Sequence, residues 1–143
     1  MNNLNAKAID IKGKKYVLVS DRVLYFNETY PNGMIRTHLL SNPDSELVVV
    51  KAQVIPDLTN PDRFFTGHSQ AKWGDGYINK TSALENAETS AVGRTLAMMG
   101  IGVIDSIASA DEIKKTTHYP VNTKFVEPKD VTDPIMDATN YVK

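Results

Sequence analysis

Between residues 72 and 80 the chain reads Lys72-Trp73-Gly74-Asp75-Gly76-Tyr77-Ile78-Asn79-Lys80, which sets its only tryptophan and a tyrosine between two lysines. Aromatic rings interleaved with cations suit a single-stranded nucleic acid, because one base stacked on a ring contributes roughly 1–3 kcal/mol. Gly74 and Gly76 supply backbone freedom for such a loop. The same residues also fit a loop whose Trp73 closes the core, and both readings stay open.

Other reactive chemistry is thin. Without cysteine, thiol catalysis, disulfides and cysteine-ligated zinc or iron–sulfur centres are excluded. His38, His68 and His118 lack the i, i+4 spacing with glutamate that marks helical zinc sites, although His38 and His68 could meet across a sheet. No Walker-type or G-x-G-x-x-G loop is present, so ATP-driven work, cofactors, metals and an enzyme role are not expected.

The composition is that of one globular domain: 143 residues, 41% hydrophobic and 23% charged. Residues 1–104 carry 11 Lys/Arg against 10 Asp/Glu, and residues 105–143 carry 5 against 7. A body slightly more basic than its tail is compatible with nucleic-acid binding but does not demand it. No apolar run approaches the roughly 20 residues of a membrane span, and the first residues lack a signal-peptide order. A soluble, cytoplasmic protein is expected.

The elements that must position these residues read as α+β. Residues 1–13 are polar and patternless and are expected to be a mobile arm. Residues 14–115 read as a single domain, and residues 116–143, with three prolines and scattered acids, as a flexible acidic tail. Tyr16 to Val19 reads as a strand, and Ser20 as the N-cap of a short helix carrying Val23, Leu24, Phe26 and Tyr30. Pro31-Asn32-Gly33 stops it. Three strands follow, Met34–Leu40, Glu46–Ile55 and Arg63–Ala71, separated by hairpin-type turns and therefore antiparallel. Period-two alternation puts Arg36 and His38 on one face of the first, Lys51 and Gln53 on one face of the second, and Thr66, His68 and Gln70 on one face of the third. Ile35, Leu39, Val48, Val50, Val54 and Phe65 alternate with them and are expected to face a covering helix.

That helix is announced by Ser82 and Glu85, a capping box, and runs to Met99-Gly100-Ile101-Gly102. At 100° per residue, Leu84, Ala87, Ala91, Thr95, Met98 and Met99 form an apolar stripe, and Asn86, Ser90, Gly93 and Ala97 a small-residue stripe. Gly93 is expected where a neighbouring backbone comes close. Glu88 falls inside the apolar stripe, so it meets a cation, backbone amides or another subunit, or else reaches solvent at the stripe's edge. Arg94 on the flank suits a structural carboxylate or a phosphate equally. Ser109 and Glu112 suggest a further capped helix near Ala110–Lys115.

The run Asn79-Lys80-Thr81-Ser82-Ala83-Leu84-Glu85-Asn86-Ala87-Glu88-Thr89-Ser90-Ala91-Val92-Gly93-Arg94-Thr95-Leu96-Ala97-Met98-Met99-Gly100-Ile101-Gly102, followed by Ile107-Ala108-Ser109-Ala110-Asp111-Glu112, resembles the helical signature of phage single-strand annealing proteins, the Erf- and Sak-type recombinases and their small relatives. The order of strand, short helix, three- to four-stranded meander and long helix over Lys14–Gly102 is similar to the annealing-recombinase core. The resemblance implies binding of single-stranded DNA and ATP-independent annealing in phage recombination and replication, on a homo-oligomeric ring or filament. It also implies contacts at Lys72, Lys80 and Arg94, with Arg36, Lys51 and Arg63 from the meander. Trp73 and Tyr77 join them on the stacking argument above. The alternative is an oligomeric scaffold that recruits replication or recombination partners through residues 116–143.

Overall fold

The computed structural model describes residues 3–108 and 110–115. It is an α+β structure with two antiparallel sheets. A 3₁₀ turn at Leu4–Lys7 leads into a small hairpin of β1 (Ile9–Ile11) and β2 (Lys14–Tyr16). Helix α1 (Val19–Thr29) precedes strands β3 (Met34–Leu39), β4 (Leu47–Ile55) and β5 (Phe65–Lys72). A single helical turn α2 (Gly76–Asn79), the long helix α3 (Ala83–Met98) and the short α4 (Ala110–Lys115) complete the order.

The front of the chain departs from the sequence reading. Residues read as a patternless arm hold the 3₁₀ turn and β1, and the strand expected over Tyr16–Val19 ends at Tyr16. Lys12 and Gly13, with φ of 52° and 80°, make the two-residue turn that brings Ile11 opposite Lys14. Strands of three residues are too short to show a period. Ser20 is not a cap: the N-cap of α1 is Leu18, two residues earlier, and it makes no side-chain capping bond. Ser82 does stand at the N-cap of α3, but it makes no side-chain cap hydrogen bond, so the expected box is not closed. The β3, β4 and β5 boundaries shift by one or two residues from the expected ones. Ser109 and the tail expected over residues 116–143 lie outside the described residues.

Strand β4 is the middle of the β3-β4-β5 sheet. Its inward residues Val48, Val50, Ala52 and Val54 are buried, and each fully buried valine stabilises the fold by about 1.5–3 kcal/mol relative to exposure. Val48, Val50, Ala52 and Ala71 pack with Ala83, Ala87 and Ala91 of α3, and a second cluster joins Phe26 of α1 to Val54, Leu96 and Ile101. Alanines facing the sheet let α3 descend close to it. Gly67 on β5 is the extreme case, lying under Ala91 and Thr95.

The inward stripe of α3 is rotated from the expected one. Ala83, Ala87, Ala91, Thr95 and Leu96 are buried, whereas Leu84 and Met98 are exposed. Gly93 is buried as expected for close approach, but the neighbour is the Val19 side chain of α1 rather than a backbone. Between the two helices the Arg22 guanidinium donates to the carbonyls of Val17 (2.9 Å) and Gly93 (3.2 Å) and lies 5.0 Å from the Tyr16 ring centroid. Its burial pulls the pKa below the usual arginine value.

Candidate nucleic-acid interface

The sheet has one face under the helices and one open face. Register decides what the open face carries. His38 stands directly opposite Lys51, and Lys51 directly opposite His68, so the three form one row across the strands. The adjacent row is Arg36, Gln53 and Thr66. The polar faces expected from alternation therefore coincide. His38 and His68 do not meet: with β4 between them they are separated by two strand spacings, roughly 10 Å. Among the described residues no group of three or more His, Asp or Glu is placed to hold a metal ion.

The outward positions of β3, β4 and β5 include no carboxylate. Arg36 donates through Nε to Oε1 of Gln53 at 2.6 Å, which fixes the guanidinium against the sheet. Among the described residues no carboxylate is paired with Arg36, Lys51 or Lys80. Acidic side chains lie in the connections that follow the strands, such as Asp44, Glu46, Asp57, Asp62 and Asp75, and on the other layer, Asp21 and Glu28 on α1 and Glu85 and Glu88 on α3. Glu88 is exposed and accepts a hydrogen bond from Thr37 Oγ1 at 2.8 Å, so of its alternatives the solvent edge is the one realised. With Arg22 and Arg94 on the same helices, that layer holds four acids against two cations, whereas the strands' outward positions hold cations and no acid.

Beside the open face, a groove of about 580 Å³ follows the free edge of β5, lined by His68, Gln70, Asn79, Asn86, Ser90 and Arg94 among others. The bond from Trp73 N–H to Glu46 C=O sets the ladder's alternation, which turns the peptide groups of Thr66, His68, Gln70 and Lys72 away from β4 and toward that edge. The peptide N–H groups and side-chain amides facing that edge are donors without a net charge.

The expected contact residues divide into three groups. Arg36 and Lys51 lie on the open face, with Lys72 at its far end, where it stands 3.9 Å from Glu46 in an exposed pair. Trp73, Tyr77 and Lys80 belong to the connection between β5 and α3, and all are exposed. Arg63 and Arg94 are engaged elsewhere: Arg63 stacks over Phe65 at 5.4 Å, and Arg94 Nη1 bonds Glu112 Oε1 at 3.0 Å, the structural ion pair of its two readings. The two rows add His38, His68, Gln53 and Thr66 to the candidates. Period-two alternation carried that signal, but only the register could align the strands.

The family model described as Slr1353 N-terminal dsRNA-binding domain-like matches residues 24–99. The chain belongs to this family. No curated protein and no solved structure matches it. The dsRNA-binding domain-like unit runs from within α1, through β3, β4 and β5, to the end of α3, so it contains both the open face and the helical layer behind it. It also contains residues 79–99, most of the helical run compared above with phage single-strand annealing proteins, and that resemblance is corrected accordingly. The physical reason is visible in α3. Ala83, Ala87, Ala91 and Gly93 are small because the helix lies close to a sheet and to Val19, a packing demand that any helix in this position shares.

Proposed function

We propose that this chain binds double-stranded RNA through the open face of β3, β4 and β5. The row His38–Lys51–His68 beside Arg36–Gln53–Thr66, with no carboxylate among the outward residues, is the observation that carries the reading. Duplex RNA is recognised by shape, through phosphates and 2′-hydroxyls rather than base edges. Cations and neutral hydrogen-bonding groups in two adjacent rows, without a phenylalanine, tyrosine or tryptophan on the strands' outward positions, suit that mode better than they suit stacking. Membership of a dsRNA-binding domain-like family supports the same reading. Competition between a 20-base-pair RNA duplex, the matching DNA duplex and either single strand tests it. RNA duplex is expected to win, and to lose affinity steeply with salt. Equal or better binding of single strands would sink the reading.

A second reading, ATP-independent binding and annealing of single-stranded DNA by an oligomer, is favoured by one observation. Trp73 and Tyr77 are solvent-accessible between Lys72 and Lys80, the arrangement that holds stacked bases. Preference for the DNA single strand in the same competition would select it.

A further inference from the structure

The aromatic connection begins where β5 ends, beyond the cationic rows. From His68 in the row to Trp73 is five residues of extended chain, roughly 17 Å. Tyr77 is 94% exposed, Ile78 49% and Trp73 39%, so the segment withholds much of its apolar surface from the core.

That segment is nevertheless held in place. Gly74 N–H donates to the Asn79 carbonyl at 2.8 Å, and Ser82 N–H to that of Ile78 at 3.1 Å. The Asn79 side chain, itself buried, accepts from Asn86 Nδ2 of α3 at 2.9 Å. Gly74 and Gly76 adopt positive φ, 80° and 74°, which lets the chain turn twice within three residues. Tyr77 is therefore a ring presented to solvent from an anchored turn, which lowers the ordering cost of stacking something on it. Lys72, loosely paired with Glu46, and Lys80, which has no carboxylate partner among the described residues, bracket the segment, with Asp75 as its one acid. Positive charge around an exposed ring matches a nucleotide, with its phosphate and its flat base, better than it matches an apolar partner.

Resting on the duplex reading above, we infer that Trp73 and Tyr77 form a second subsite that stacks an unpaired nucleotide, so that the preferred ligand is an RNA duplex continued by a single-stranded extension. The open face holds the phosphates of the paired region. The connection, whose Trp73 lies about 17 Å from His68 just past the end of β5, takes the first bases beyond it.

Trp73 is the chain's only tryptophan, so its fluorescence reports this subsite alone. The full-length protein is titrated with a blunt 20-base-pair RNA duplex, and with the same duplex carrying a five-nucleotide 3′ or 5′ extension. The expected result is about tenfold tighter binding of one extended duplex, the scale that a single stacked base supplies, with Trp73 emission quenched only by that ligand. Tyr77→Ala is expected to bring the ratio of extended to blunt affinity toward one, and Lys51→Ala to weaken both ligands together. At 94% exposure, Tyr77 can be removed without disturbing the fold. Equal affinity for blunt and extended duplexes, with emission unmoved, overturns the inference and leaves duplex binding standing. No binding of any duplex overturns both.

Discussion

Gly67 on β5 and Thr95 on α3 leave no room between them for one methyl group. A Cβ built on Gly67 would lie 2.5 Å from Thr95 Oγ1, 2.9 Å from its backbone nitrogen and 3.2 Å from the Ala91 carbonyl. Thr95 cannot swing away freely, because its hydroxyl donates to Ala91 C=O at 2.7 Å. Gly67→Ala is therefore expected to destabilise the protein by roughly 1–3 kcal/mol, the usual cost of overpacking, and to lower the melting temperature in a thermal scan. An unchanged melting temperature would mean that α3 does not lie this close to the sheet.

Gly93 poses the same question against a side chain. Its added Cβ would meet Val19 Cγ2 at 2.5 Å. Valine is stiff at χ1, so Gly93→Ala should be destabilising despite a gain in helix propensity of about 1 kcal/mol. In a Val19→Ala background the clash is gone, and the same substitution should become neutral or stabilising. A double-mutant cycle measures the coupling directly.

Arg22 bridges two carbonyls and a ring, which a lysine cannot reproduce with a single ammonium group. Arg22→Lys should cost on the order of 1–3 kcal/mol in urea unfolding at neutral pH, because buried carbonyls lose charged donors. Full stability in the lysine variant would show that the ring and helix contacts matter more than the fork.

Asp57 predicts a pH signature. Its carboxylate accepts from Thr59 N–H at 2.9 Å, Thr59 Oγ1 at 2.8 Å and Asn32 Nδ2 at 2.6 Å, and these bonds to the charged form hold its pKa below the ordinary aspartate value. A depressed folded-state pKa adds stability above the unfolded value of about 3.9 and loses it as pH falls through the folded one. Asp57→Ala should therefore melt below the native protein at pH 7, and the gap should narrow as the buffer is taken below about pH 4. A constant gap would mean that the turn does not depend on the charge.

If the open face grips phosphates, Arg36→Ala and Lys51→Ala should each flatten the plot of log affinity against log salt by about one unit. Glu85→Gln, on the opposite layer, should leave the slope unchanged.

Much of this architecture was legible. The meander, the long helix and the two-face alternation of β3, β4 and β5 follow from period-two and period-3.6 patterning with unambiguous turns such as Pro31-Asn32-Gly33. The three-residue strands β1 and β2 were not, since Ile9-Asp10-Ile11 is too short for a period and is placed by its partner. The inward stripe of α3 was misjudged at Leu84 and Met98 because proximity to the sheet favours alanine there, against the expectation that larger hydrophobics point inward. Within the candidate site, side-chain types and faces could be read locally, whereas the alignment of His38, Lys51 and His68 depends on pairings between strands far apart in sequence. The partner of Arg94 could not be chosen in advance, because Glu112 reaches it only once the chain has folded back.

The central position of β4 sets a limit on how this chain can vary. Its letters face the helices or the open side in turn, although Gln53 and Ile55 at its end are buried too, so exchanging a letter is a local event. Inserting or deleting one inverts every assignment downstream, sending Lys51 beneath the helices and a valine into solvent. Substitution is open to this strand; a change of length by one is not.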